Sequence, residues 1–163
     1  MKHVIQKLAA GALLALAAGA ASAADVTVEY IQPENYSDLT TSGEREEVLR
    51  NLSAHFVKLG AKLPPGYTLR IFVQDIDMAG NERPARAGDV RSIGRGEWPR
   101  MNLHYMLVNN DQVVSEADAE LRDTAFLDRP NRYMSNDPIR YEKRMVDAWF
   151  ERTILPAAVS AKP

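Results

Sequence analysis

The sequence predicts an α+β domain, a mostly antiparallel four-stranded sheet with two helices packed on one face, in the order β-α-β-β-β-α. Three observations carry that expectation. Two stretches, Glu44 to Leu59 and Tyr141 to Phe150, place apolar residues at helical intervals. Tyr67 to Gly80 has a strand's alternation and is apolar on both faces, which suits the middle of a sheet. Two more alternating runs, Met101 to Val108 and Val113 to Leu121, flank a tight turn. Helices gathered on one side of such a sheet bury its apolar face in two layers.

The chain opens with a targeting pattern. Lys2, His3 and Lys7 precede an apolar run from Leu8 to Ala20, and Ala21-Ser22-Ala23 is a small-residue cleavage site. The run is shorter than the roughly 20 residues that cross a bilayer. The expectation is a signal peptide over residues 1–23, cleaved near Ala23, and one periplasmic domain over residues 24–163 with no lasting membrane insertion. A Gram-negative cell is the natural setting. The chain has no cysteine, which excludes disulfides, thiol catalysis and cysteine metal sites. Its net charge of −2 includes the leader lysines, so the remainder is more acidic and lacks the basic stripe that nucleic acid requires.

Val26 to Ile31 is the first strand, ended by Pro33, which cannot donate to a ladder. Thr41 and Glu44 have the spacing of a capping box, and Val48, Leu49, Leu52, Phe56 and Leu59 form the apolar stripe behind it. Gly60 is placed to stop this helix in a left-handed conformation. Pro64-Pro65-Gly66 turns the chain into the central strand, which should lie parallel to the first through a right-handed crossover. On the central strand, strict alternation puts Leu69, Ile71 and Val73 on one face with Asp75 and Asp77. Phe72, Ile76 and Met78 then share the other, an apolar strip that a homodimer could cover.

Residues 79–98 form a long loop with no sustained period, and a short strand around Val90 to Ile93 is the one element they suggest. Asn109-Asn110-Asp111 is a hairpin turn, because these residues tolerate positive φ. In the return strand Val113, Ala117, Ala119 and Leu121 point inward. Asp137 before Pro138 marks the start of the last helix. Trp149 and Phe150 lie on its core face, Leu155-Pro156 ends it, and Glu142-Lys143-Arg144 forms its solvated back.

Asp75 and Asp77 leave the central strand on one face about 7 Å apart. Asp-x-Asp-x-x-Gly begins like a calcium loop, but Ala79 and Arg86 stand where the fifth and twelfth oxygen donors belong. Two such carboxylates could serve as acid and base, or each could bind an arginine, Arg91 or Arg100, and so fix the long loop to the sheet. His55 and His104 belong to no paired metal motif and are expected at or near the surface. None of the serines sits in a Gly-x-Ser-x-Gly elbow. Trp98 follows Gly94-Arg-Gly96-Glu in a loop, where an aromatic side chain is suited to recognition.

Several of these stretches occur together elsewhere. Asp75-Ile-Asp77-Met-Ala-Gly80, Asp89-Val-Arg91, Trp98-Pro-Arg100-Met101 and, most specifically, the run from Ser135 through Asp137, Arg140 and Asp147 to Phe150 resemble the bacterial domain-of-unknown-function 3016 family. The resemblance covers nearly all of the chain after the leader and implies an exported single domain without adding a reaction. The order of elements also resembles small sheet-and-helix modules of envelope assembly and transport accessory proteins.

The expected function is a non-enzymatic exported module that binds a protein partner or envelope component through residues 79–100. Its site would comprise Asp75, Asp77, Asp89, Arg91, Trp98 and Arg100, with no cofactor or metal. The alternative is a small metal-dependent or acid/base hydrolase using Asp75 and Asp77.

Overall fold

A computed structural model describes residues 24–83 and 90–160. The expected leader at 1–23 and the candidate residue Asp89 lie outside the described residues. Strands β1 (Asp25–Tyr30), β2 (Tyr67–Asp77), β5 (Arg100–Asn109) and β6 (Gln112–Arg122) form one sheet in the order β1-β2-β5-β6. β1 and β2 are parallel and the other neighbours antiparallel, as expected for a strand–helix–strand crossover followed by hairpins. Helix α1 (Ser42–Gly60) connects β1 to β2. Helix α2 (Arg140–Trp149) runs through a π-helical turn (Phe150–Ile154) into α3 (Leu155–Ser160). The expected α+β architecture is present. The long loop is not wholly loop, because β3 (Asn81–Arg83) and β4 (Val90–Ser92) pair as a separate antiparallel ribbon.

The core lies between the inner face of the sheet and the helices. Val48, Leu52, Phe56 and Leu59 of α1 meet Leu69, Ile71 and Val73 of β2, Leu103 and Leu107 of β5, and Val146, Trp149 and Phe150. Trp149 stands edge-on to both Phe56 and Tyr105, with centroids 6.3 and 5.5 Å apart, so one ring ties α1, β5 and the last helix together.

The ends of α1 differ from expectation. Thr41 is the N-cap residue, but its side chain makes no capping bond, and Glu44 reaches instead to Arg91. Gly60 is the last helical residue, yet the chain leaves through Ala61 in a right-handed conformation. Its requirement is space: a Cβ there would stand 2.1 Å from Val26 Cγ2, so the bare backbone lets α1 settle on β1.

The largest departure is in β2. Val73 pairs with Leu103 but Asp75 pairs with Asn102, so Gln74 is an extra residue, a β-bulge. Every side chain beyond it changes face. Ile76 and Met78 go under the helices, 0% and 2% exposed, while Asp75 and Asp77 turn to the open face beside Phe72. The apolar strip of Phe72, Ile76 and Met78 expected for a homodimer is therefore not on the surface. Only Phe72 remains there, half-buried against His104.

The β5–β6 hairpin turns at Asn110 and Asp111, both at positive φ, as expected. A second register shift, opposite Leu107 and Val108, moves Val113 outward to 54% exposure and brings Val114 against the core. Ala117, expected inside, is exposed on this edge strand. Asp137 does order the start of the last helix: its Oδ1 accepts the Ile139 amide at 3.0 Å and its Oδ2 accepts Lys143 at 2.7 Å. That helix continues past Leu155-Pro156. The Leu155 amide bonds to Phe150, five residues back, so the chain has already left α-helical spacing where Pro156 arrives without a donor.

Candidate functional site

The bulge delivers Asp75 and Asp77 to the open end of the sheet, where they take different partners. Asp75 accepts the Ser37 amide and hydroxyl, each at 2.7 Å. It holds the connector after β1 and does not bind an arginine as expected. Asp77 does: Arg100 Nε donates to its Oδ2 at 2.9 Å and Nη2 converges on the same oxygen. That bond keeps the Arg100 guanidinium above its ordinary pKa, through the hydrogen bond and the charge of Asp77. With each carboxylate bound to its own partner, the acid/base reading gains no support from their geometry.

Arg91 makes a pairing that the sequence did not predict. It rises from β4 and donates to Asp38 at 2.7 Å, Glu44 at 3.1 Å and the Gly80 carbonyl at 3.1 Å, bonding to neither Asp75 nor Asp77. The guanidinium is largely buried, so these charge-assisted bonds are stronger than a surface pair. One side chain thus joins the connector after β1, the start of α1, the end of β2 and the ribbon. Gly80 permits that junction. It sits at φ 82°, and a Cβ there would stand 2.4 Å from the Ser92 carbonyl oxygen.

Two cavities flank the ribbon. One of about 200 Å³ is lined by Asp77, Gly80, Asn81, Gly96, Glu97, Trp98 and Arg100. Trp98 is half-buried, so it forms a wall of this cavity and still meets solvent. The other, about 330 Å³, runs beneath β4, with Val48, Met78, Ile93 and Pro138 as its apolar lining and Glu44, Glu47, Arg91 and Arg140 as its charged lining. Of the six expected site residues, the structure brings Asp77, Trp98 and Arg100 together around one cavity. Arg91 lies on the far side of the ribbon, and Asp75, bonded to Ser37, shares a further cavity of about 170 Å³ with Asp77 and Arg100.

At the other end of α1 is a polar cluster that the sequence reading missed. His55, expected at or near the surface, is 5% exposed, and its Nε2 lies 2.9 Å from Asp147 Oδ1. A carboxylate only accepts, so Nε2 carries the proton. Tyr133 donates to Asp147 Oδ2 at 2.6 Å and Arg132 Nη2 lies 2.6 Å from the same oxygen. Burial acts to raise the Asp147 pKa, but bonds from His55 and Tyr133, the charge of His55 and the Arg132 bond outweigh it. The carboxyl stays below its ordinary value. Burial and the Asp147 bond push the Tyr133 hydroxyl up to about 12. These groups line a cavity of about 430 Å³.

Nor is Glu142-Lys143-Arg144 a solvated back. Glu142 is 1% exposed and accepts the Ala79 amide at 2.8 Å, and Arg144 binds Asp123 and the Phe126 and Arg129 carbonyls. A signal for both errors was in the spacing. His55 falls three residues after Leu52 and four before Leu59, and Glu142 falls four before Val146, each on the inward stripe.

Comparison with known proteins adds a family and little else. A family model described as "Protein of unknown function (DUF3016)" matches residues 24–152. No curated protein matches the chain. Among solved structures, a Xanthomonas campestris protein of the DUF330 family is 14% identical, with a TM-score of 0.32, over 85% of this chain and 79% of its own.

Proposed function

The chain belongs to the DUF3016 family, and from that premise we propose that it is a non-enzymatic exported module binding a protein partner or envelope component through the β3–β4 ribbon and the segment from Ile93 to Arg100. The observation that carries this reading is the three-way bond of Arg91. It fixes a surface flap to the domain before any partner arrives, so little ordering entropy remains to oppose association. The fixed flap presents Ile93, Trp98 and Arg100, an aliphatic side chain, an aromatic and a guanidinium, and aromatics and arginine are the types enriched where binding energy concentrates. Export is the reading of the charged start, the apolar run and the small-residue site over residues 1–23.

Two experiments test the proposal. The purified protein, immobilised, is used to capture components from envelope extracts alongside Trp98→Ala/Arg100→Ala. The double variant is expected to retain its captured component at least about tenfold less well, corresponding to about 1.4 kcal/mol. Equal retention by the two proteins overturns the flap as the contact surface. Fractionation of cells making the full chain, followed by N-terminal sequencing, is expected to find a protein starting at Ala24 or Asp25 outside the cytoplasm. An intact leader on cytoplasmic protein overturns export.

A further inference from the structure

The cavity at the C-terminal end of α1 plays no part in the flap reading, and its chemistry points to a ligand. His55, Lys58, Leu59 and Lys62 stand at i, i+3, i+4 and i+7, so they form one stripe of α1, facing Arg132 and Tyr133 across about 430 Å³. That volume lies within the range of about 300–1,000 Å³ common to small-molecule sites.

Charge decides what such a cavity holds. Asp147 is the acid in the lining, and its oxygens are already committed: Oδ1 to His55, Oδ2 to Tyr133 and Arg132. Lys62 reaches Glu151 at 3.2 Å, but both side chains are more than 40% exposed, and such a rim pair contributes little. Lys58 pairs with no carboxylate among the described residues. Three cations, Lys58, Lys62 and Arg132, against one carboxylate, Asp147, leave these four groups at a net +2.

We propose that this cavity binds a doubly charged oxyanion of the phosphate-monoester class. Lys58 and Lys62 hold the phosphate oxygens as point charges, the role ammonium groups commonly take with phosphate. Leu59 and the Tyr133 ring flank the organic body. Asp147 acts as a positioning residue, keeping His55 and Arg132 in place. A phosphate monoester carries close to two negative charges at neutral pH, matching the lining, whereas a carboxylate carries one. The site is about 21 Å along α1 from Glu44 and the flap, so it stands or falls independently of the reading above.

The test is titration of the purified protein with phenyl phosphate, inorganic phosphate and acetate at fixed ionic strength, read by calorimetry and by residue-resolved NMR shifts. Phenyl phosphate is expected to bind saturably, at least about tenfold more tightly than acetate, with shifts centred on His55, Lys58 and Tyr133. Lys58→Gln/Lys62→Gln is expected to weaken that binding by about tenfold or more with melting unchanged, while Arg95→Gln on the flap has no effect. No saturable binding, shifts centred elsewhere, equal affinity for acetate, or equal affinity of the double lysine variant and the parent would each overturn the proposal. The shift map on the parent protein decides the location whether or not the variants fold.

Discussion

Glu142 and Asp147 are both buried carboxylates of α2, 1% and 4% exposed, and their surroundings treat them oppositely. Asp147 faces the α1 cavity and is bonded by His55, Tyr133 and Arg132, so its charge is satisfied and its pKa falls. Glu142 lies toward the flap. Burial dominates there and raises its pKa, against the partial relief of the Ala79 amide, its own amide and the charges of Arg91 and Arg140. One of its oxygens, Oε2, has no partner among the described residues. Similar exposure therefore has opposite consequences: Glu142 is enclosed more deeply and meets fewer donors, whereas Asp147 borders a cavity and is met by three.

Substitution at Asp147 is the severest way to test that contrast. Asp147→Ala strands the His55, Tyr133 and Arg132 donors and is expected to cost about 3 kcal/mol in urea unfolding, with Asp147→Asn closer to half of that. A cost below about 1 kcal/mol for the alanine variant would show that the donors find other partners. Glu142→Gln should go the other way. The amide oxygen keeps the Ala79 bond and no charge is buried, so at neutral pH the variant should be as stable as the parent or up to about 1 kcal/mol more so.

The pH profiles sharpen the comparison, and their signs differ. Asp147 titrates below its unfolded value of 3.8, so its contribution is present above that value and is lost as pH falls through the lower, folded one. Glu142 titrates above its unfolded value of 4.5, so stability is fullest below 4.5 and declines as pH rises through the folded value. Urea unfolding from pH 3 to 8 should therefore show an acid limb missing in Asp147→Asn and a decline toward neutral pH missing in Glu142→Gln.

The smallest effect belongs to His104 on the open face. Its bond to Asp118 at 2.9 Å, with Glu116 at 3.2 Å, raises its pKa above 6.5. Its stabilisation is full below about pH 6.5 and lost as pH rises through the folded value. His104→Gln should lower Tm more at pH 6 than at pH 9, where only its contact with Phe72 remains to be lost.

Periodicity made the layers legible. The stripe Val48, Leu52, Phe56 and Leu59 and the turn at Asn110 and Asp111 obey local rules, and local rules act on neighbours in sequence. The bulge was written there too: the inward residues run Leu69, Ile71, Val73 and then Ile76, a step of three where a flat strand allows two. The ribbon was half legible: the short strand expected around Val90 to Ile93 is β4, but its partner β3 has three residues, too few to show a period. Of the site's bonds, Asp77 to Arg100 was among the expected pairs, and the others could not be read. Arg91 to Asp38, Asp75 to Ser37 and His55 to Asp147 span 53, 38 and 92 residues, and only the folded layers bring such partners together.

Gln74 has a consequence for how this chain can change. Strands are governed by parity, and one unpaired residue lets odd-numbered side chains line the interior up to Val73 and even-numbered ones after it. Deleting that residue would put Val73 directly before Asp75, whose partners Leu103 and Asn102 are already neighbours, so the strand would run on unbulged with both acids still outward and Ile76 and Met78 still inward. Replacing Gln74 leaves the count intact. The letter at this position is thus free to vary and even to be omitted, whereas a single-codon insertion between Asp75 and Ile76 would cast Ile76 and Met78 out, drive Asp77 in and should abolish folding.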